Sequence, residues 1–202
     1  YEENGTIFGD LSAILIDNLP FWAEFSCTPS TKVSLMSEWE AKMKAIIAES
    51  SRENVTSLVG VPSWMMVLLR QALAYTGKEN ILEIWKNLEV YFHGGVSFVP
   101  YREQYKQLIP SDTVHYYETY NASEGFFAIQ DRNNSDEMLL MLDYGIFYEF
   151  IPMDSFGTPA QKAIPLWEVE VGKNYAMVIT TNAGLWRYQI GDTVRFTSTS
   201  PY

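Results

Sequence analysis

Two stretches of this sequence combine residue types that could handle a nucleotide. The first is Tyr120-Asn121-Ala122-Ser123-Glu124-Gly125. An aromatic ring can stack on a base, small residues let the backbone approach a ligand, and a carboxylate is the hard oxygen ligand that Mg²⁺ takes. Alone the pattern is weak, because a tight turn after a strand uses the same residues. The second is Gly184-Leu185-Trp186-Arg187-Tyr188-Gln189-Ile190-Gly191-Asp192, running on as Thr193-Val194-Arg195. Gly191-Asp192 sets a carboxylate at the mouth of a turn, and a carboxylate can accept from both hydroxyls of a ribose. Arg187 and Arg195 are, with Arg132, among the few cations of this half; Arg195 can offset nearby negative charge or pair with a surface acid, which contributes little. Of the two histidines, His115 sits in a strand pattern and reads as structural, whereas His93 abuts Gly94-Gly95 and is a candidate for a site. No convincing nucleophile and base stand together.

The elements that must hold these stretches change character along the chain. Residues 1–30 are apolar and aromatic, with Leu11, Ile14, Leu15 and Leu19 at helical spacing up to Pro20. Ser37-Glu38-Trp39-Glu40 fits a capping box, and Trp39, Met43, Ile46 and Ile47 follow as one apolar stripe. Strands are expected at Val55–Val59, Leu88–Phe92 and Thr113–Thr119. Between them, Pro62 opens a helix closed by Gly77, Ile81–Lys86 reads as a short helix, and Val99–Leu108 as another. Alternating strand and helix marks parallel βαβ units. After residue 125 the pattern becomes Phe126–Gln130, Met138–Leu142, Ile146–Ile151, Tyr175–Thr181 and Thr193–Thr197, strands separated by turns and hence mostly antiparallel. The expected class is α/β: a parallel portion over residues 1–125, then an antiparallel β-rich portion over 126–202. In doubly wound sheets ligands sit beyond the carboxyl ends of the strands, which is where Gly94-Gly95 and Tyr120–Gly125 fall.

Composition narrows the partners. With 14 basic against 25 acidic residues the net charge is −11, and no basic cluster offers a face for nucleic acid or an anionic membrane. ATP stays open, since backbone N–H groups, Mg²⁺ and a few side chains can hold it. The one cysteine, Cys27, cannot form an internal disulfide and reads as a small half-buried apolar residue in a protein of the reducing cytoplasm. No apolar run approaches the ~20 residues of a membrane span. The chain lacks an initiator Met and reads as part of something longer.

Together the two stretches resemble the adenylate-forming superfamily, in which a Tyr-x-x-Ser/Thr-Glu loop holds adenine and Mg²⁺ and a later Gly-Asp binds ribose. The finer resemblance is to the auxin-responsive acyl-acid amido synthetases, known from plants with bacterial relatives. Gly184–Val194, Phe147-Tyr148-Glu149-Phe150-Ile151-Pro152 and Phe92-His93-Gly94-Gly95 carry it, and the chain looks like a partial bacterial-type member. The resemblance implies part of the large N-terminal domain of a ligase. That ligase would activate a carboxylic acid as its acyl-adenylate with ATP and Mg²⁺, then form an amide with an amino acid.

Carried over, Tyr120 would stack on adenine, Asn121, Ala122 and Ser123 would line the nucleotide, Glu124 would coordinate Mg²⁺, and Asp192 would hold the ribose. Gly94 and Gly95 would lie between nucleotide and acyl group. Trp64, Met65 and His93 would border the acid. The family's Ser/Thr/Gly-rich phosphate loop and its C-terminal lid domain are not visible in the sequence, so these 202 residues alone are expected to be inactive. A thiol acceptor, as in CoA ligases, and a non-catalytic binding remnant are the competing readings.

Overall fold

A computed structural model of the protein describes residues 2, 3, 6, 7, 9 and 11–202. The chain divides into two compact units, residues 1–116 and 117–202.

The first unit opens with the short antiparallel strands β1 (Glu2–Glu3) and β2 (Thr6–Ile7) and the helix α1 (Leu11–Asp17). Single helical turns follow at α2 (Phe21–Glu24) and α3 (Thr31–Ser34). The helical spacing before Pro20 is real, yet α1 buries no residue. Cys27 is exposed, not half-buried. Helix α4 (Trp39–Ser50) is capped one residue later than its sequence implies: the Glu38 carboxylate accepts from Glu40 N and Ala41 N at 3.0 and 2.6 Å. The Glu38 carboxylate thus satisfies two orphan N–H groups, where the capping box expects Ser37 to meet one. Those two bonds hold the Glu38 carboxyl below the usual carboxylate range.

One parallel βαβ unit forms the heart of this half. Strand β3 (Ser57–Val59) pairs in parallel with β4 (Val90–Gly94), with Leu58 opposite Tyr91. Helix α5 (Pro62–Thr76) lies between them in the chain. Pro62 opens it, where the missing N–H costs nothing. Gly77 closes it in the left-handed region, with φ 68° and its N–H on Leu73 O at 2.8 Å. Met66, Leu69 and Ala72 form its buried stripe. The segment expected as a helix over Ile81–Lys86 is a 3₁₀ turn at Ile81–Glu83, and Val99–Leu108 splits into a 3₁₀ turn and α6 (Arg102–Leu108).

The core here is aromatic. Tyr91, Phe98 and Tyr105 are buried and Tyr116 packs against them. Tyr91 Oη donates to Gly60 O and Tyr105 Oη to Pro62 O, both at 2.8 Å, so two phenols hold the turn that starts α5. Tyr105 Oη also lies 3.3 Å from Tyr91 Oη. Burial pushes Tyr91 up to about 12 and Tyr105 higher still, so both stay protonated donors. Tyr105→Phe should therefore lower the unfolding free energy by about 1–2 kcal/mol, the worth of a buried hydrogen bond, in urea denaturation.

From His115 onward the strands pair with one another in antiparallel fashion. Strand β5 (His115–Ala122) runs across the unit boundary and turns directly into β6 (Gly125–Ile129), which pairs with β7 (Leu139–Leu140). A second sheet holds β8 (Ile146–Pro152), β9 (Ile164–Pro165), β10 (Asn174–Thr181) and β11 (Tyr188–Arg195) in the order β11-β10-β8-β9. Phe127, Phe150, Tyr175, Met177 and Ile179 are the centre of its core. Strand β11 begins five residues before the expected Thr193, so Gly191 and Asp192 lie inside a strand.

Candidate functional site

The segment Tyr120–Gly125 is a hairpin, not a loop following a strand. Tyr120, Asn121 and Ala122 end β5, Ser123 and Glu124 make the turn, and Gly125 begins β6 opposite Ala122. Among the described non-glycine residues only Asn134 and Arg187 take a positive φ, so this turn is not of the primed type that matches strand twist. The mismatch is taken up at once. Tyr120 pairs with Ala128 while Asn121 pairs with Phe126, leaving Phe127 as one extra residue in β6. Such a bulge bends the strand and re-aims its side chains. Phe127 is fully buried, and the Tyr120 ring packs on it with centroids 5.0 Å apart at 55°. Gly125 is needed for packing, because a Cβ there would stand 2.8 Å from Ile146 Cδ1 and 3.2 Å from Phe127 Cε1.

The Gly-Asp pair sits on a second irregularity. Ala176 pairs with Thr193 and Val178 with Gln189, so Ile190, Gly191 and Asp192 stand opposite Met177 alone. Gly191 takes φ 93°, a conformation that side chains resist. The bulge leaves Asp192 exposed at the surface of the sheet. A cleft of about 140 Å³ opens beside it, lined by Met153, Phe156, Gln189, Gly191 and Thr193 among others.

These two bulges bring the two motifs together. Tyr120 Oη donates to Asp192 Oδ2 at 2.6 Å, joining residues 72 apart in sequence and strands β5 and β11. Burial raises the Tyr120 phenol well above its ordinary value, followed by the bond to Asp192 and the negative charge of Asp192 and Glu124 nearby. Its proton therefore stays on oxygen throughout the neutral range. Glu124 is half-buried and Ser123 and Asn121 are exposed, so the turn offers oxygen atoms to solvent beside the ring. Among the described residues no three His, Cys, Asp or Glu side chains gather as a metal cage. Glu124 fits Mg²⁺ all the same, since that ion takes one or two carboxylates and completes its shell with phosphate oxygens and water.

Arg187 stands at the other end of the second motif. It takes φ 47°, its N–H donates to Thr180 Oγ1 at 3.0 Å, and its guanidinium grips Glu149 through Nε and Nη2 at 2.9 and 3.0 Å. The planar fork matches the carboxylate in the bidentate manner. Glu149 and this pairing are invisible in the sequence, because they depend on β8 meeting β10.

The candidates of the first unit gather around the start of α5. His93 is 3% exposed, stacked on Phe98 at 4.1 Å and tilted against Tyr91 at 5.4 Å. Burial first, and the Arg102 charge second, lower it to about 4, so it is neutral at pH 7. Its unfolded counterpart takes a proton near 6.5. Stability is then complete above pH 6.5 and drains as pH falls toward 4, by about 2–3 kcal/mol for a shift of this size. His93→Phe should remove that part of the acid sensitivity when urea unfolding at pH 7 and pH 4.5 is compared.

Gly94 ends β4, and Gly95 takes φ 79° with space for a Cβ only at 3.5 Å from Val61 Cγ2. Trp64 is exposed and meets Trp39 edge-on at 5.0 Å, while Met65 packs on the core. His115 is exposed at the first residue of β5.

Comparison with known proteins accounts for most of the chain. The profile of the GH3 family N-terminal domain matches residues 2–114, and that of the GH3 family central domain matches residues 139–201. The chain belongs to the GH3 family. The hairpin Tyr120–Gly125 lies between the two matched stretches. Among similar GH3 proteins, indole-3-acetic acid-amido synthetase GH3.2 of Arabidopsis thaliana is 30% identical over 174 residues, 77% of this chain and 28% of its own length. Indole-3-acetic acid-amido synthetase GH3.4 of the same plant is 33% identical over 172 residues, 78% of this chain and 26% of its own. The chain thus spans about a quarter of these relatives.

The GH3.15 acyl acid amido synthetase has the same fold, with TM-score 0.60 and 15% identity over 85% of this chain and 40% of that one. A 2-hydroxyisobutyryl-CoA ligase shares it with TM-score 0.58 and 13% identity, over 80% of this chain and 33% of its own. The chain therefore shares its fold with part of each of these two enzymes.

Proposed function

We propose that the full-length protein activates a carboxylic acid as its acyl-adenylate with ATP and Mg²⁺, then joins it to an amino acid as an amide. The observation that supports this best is the Tyr120–Asp192 hydrogen bond, which unites the two nucleotide motifs in one place in a GH3 chain. In this reading the Tyr120 ring offers a face to adenine, and Asn121, Ala122 and Ser123 line the nucleotide. Asp192 accepts from the ribose hydroxyls. Glu124 holds Mg²⁺ together with phosphate oxygens, and the ion offsets charge on the phosphates.

A carboxylate oxygen of the acid attacks the α-phosphorus of ATP and pyrophosphate leaves. The amine then attacks the acyl carbon and AMP leaves. No protein nucleophile is needed. In the first unit, Gly94 and Gly95 let backbone approach a ligand, Trp64 and Met65 border the acid, and His93 supports that glycine pair from within the core. The partners are thus small molecules, in keeping with a net charge of −11 that repels anionic polymers. A reducing cytoplasm is the setting that suits one exposed cysteine. Among the described residues no helix is long and apolar enough to cross a membrane.

The test is product analysis with the full-length protein, ATP, Mg²⁺ and panels of carboxylic acids and amino acids. Acid-dependent pyrophosphate release with a new mass equal to acid plus amino acid minus water supports the reading. Pyrophosphate release that yields product only with coenzyme A would replace the amide step by thioester formation, and no acid-dependent release at all would sink the adenylation step.

A further inference from the structure

The nucleotide reading above uses the ring of Tyr120 but not its hydroxyl. A stacking platform needs only a flat face, which phenylalanine supplies as well. The hydroxyl is nevertheless committed, donating to Asp192 Oδ2 at 2.6 Å, the short distance of a charge-assisted bond. The two partners are unequally fixed. The tyrosine ring is packed on Phe127 and the core around Phe150 and Ile179. Asp192 is exposed, on a strand bulge beside a glycine with φ 93°. The rigid member of the pair is the tyrosine, and without it the carboxylate is free to turn among its rotamers.

We propose that the Tyr120 hydroxyl is a positioning group that fixes the Asp192 carboxylate so that the site selects ribonucleotides over 2′-deoxyribonucleotides. The inference rests on the nucleotide reading. A carboxylate has about four lone-pair sites. Tyr120 takes one, which leaves enough for the 2′- and 3′-hydroxyls of one ribose. A held carboxylate presents those sites together and spends no freedom on binding, as preorganisation requires. A loose one satisfies a single hydroxyl almost as well as two, so the advantage of the 2′-hydroxyl shrinks. The phenol suits the task because its raised pKa keeps it a donor.

The experiment is calorimetric titration of the full-length protein with ATP and with 2′-deoxyATP, each with Mg²⁺, for wild type, Tyr120→Phe and Asp192→Ala. Tyr120→Phe keeps the ring and should weaken ATP about tenfold while changing 2′-deoxyATP far less, so that the ratio of the two affinities falls toward one. A wild-type ratio in Tyr120→Phe would overturn the inference and leave Tyr120 a platform only. That result is distinct from failure of the nucleotide reading, in which Asp192→Ala itself keeps wild-type ATP affinity. Should Tyr120→Phe fold poorly, the wild-type protein supplies a second check. Its ATP preference should hold up to pH 10, where an ordinary phenol is half ionised. Loss of the preference on the approach to pH 10 counts against a phenol bound in this way.

Discussion

Asp192→Ala is expected to weaken ATP–Mg²⁺ binding by the full-length protein about a hundredfold. Two ribose hydroxyls donating to a charged acceptor contribute roughly 3 kcal/mol together, and 1.4 kcal/mol is a factor of ten. ATP is a polyanion and this chain already carries a net charge of −11. On charge alone, deleting a carboxylate should strengthen nucleotide binding. A loss can arise only if Asp192 makes specific bonds that outweigh that repulsion. The fold is not at stake, because the Asp192 side chain is exposed and its one described partner is the Tyr120 hydroxyl. A melting temperature near the wild-type value should therefore accompany the lost affinity. Calorimetry decides: equal ATP affinity in wild type and variant would reduce the Gly-Asp bulge to a structural feature and move a non-catalytic binding role to first place.

What could be read from the sequence was what is decided locally. Pro62 and Gly77 bound α5 because a missing N–H and a free left-handed conformation are properties of single residues. The change from a parallel to an antiparallel pattern followed from strand spacing in the same way. Strand limits were less legible. Val55 and Leu88 are buried but lie just before their strands, since an apolar run reports burial and not pairing. The cap of α4 moved from Ser37 to Glu38 because either side chain can reach a free N–H, and only the backbone path selects one. Cys27 shows the same limit, as nothing in its neighbours reveals that the chain around it stays exposed.

The site divides along the same line. Tyr120, Glu124 and Asp192 were legible as residue types, and Gly191 hinted at an unusual backbone. That Tyr120 and Asp192 touch was not legible. It depends on an extra residue at Phe127, which has no sequence mark, and on three residues of β11 facing one of β10. Glu149 is not legible as the partner of Arg187 for an equivalent reason: the two lie 38 residues apart and meet only because β8 pairs with β10 and Arg187 leads into β11.

Glu124→Gln separates rate from affinity within the same hairpin. Glutamine fits the turn as well as glutamate does, so neither the fold nor the Tyr120–Asp192 bond should change. The loss is confined to one negative charge. If Glu124 holds Mg²⁺, the variant should need a higher Mg²⁺ concentration to reach half-maximal rate. Acid-dependent pyrophosphate release at saturating ATP should fall by about 10²–10³, the usual effect of removing one electrostatic stabiliser of a developing charge. ATP affinity should change little, because in the proposed reading Tyr120 and Asp192 still hold the base and the ribose. This is the reverse of the Asp192→Ala pattern, in which affinity is lost first. Within Tyr120–Gly125 Glu124 is the one charged residue, so its loss should act directly on the Mg²⁺ requirement. A variant that keeps the wild-type rate and the wild-type Mg²⁺ curve would show that Glu124 only shapes the turn. The ion would then be held by phosphate oxygens and by residues other than those of the hairpin.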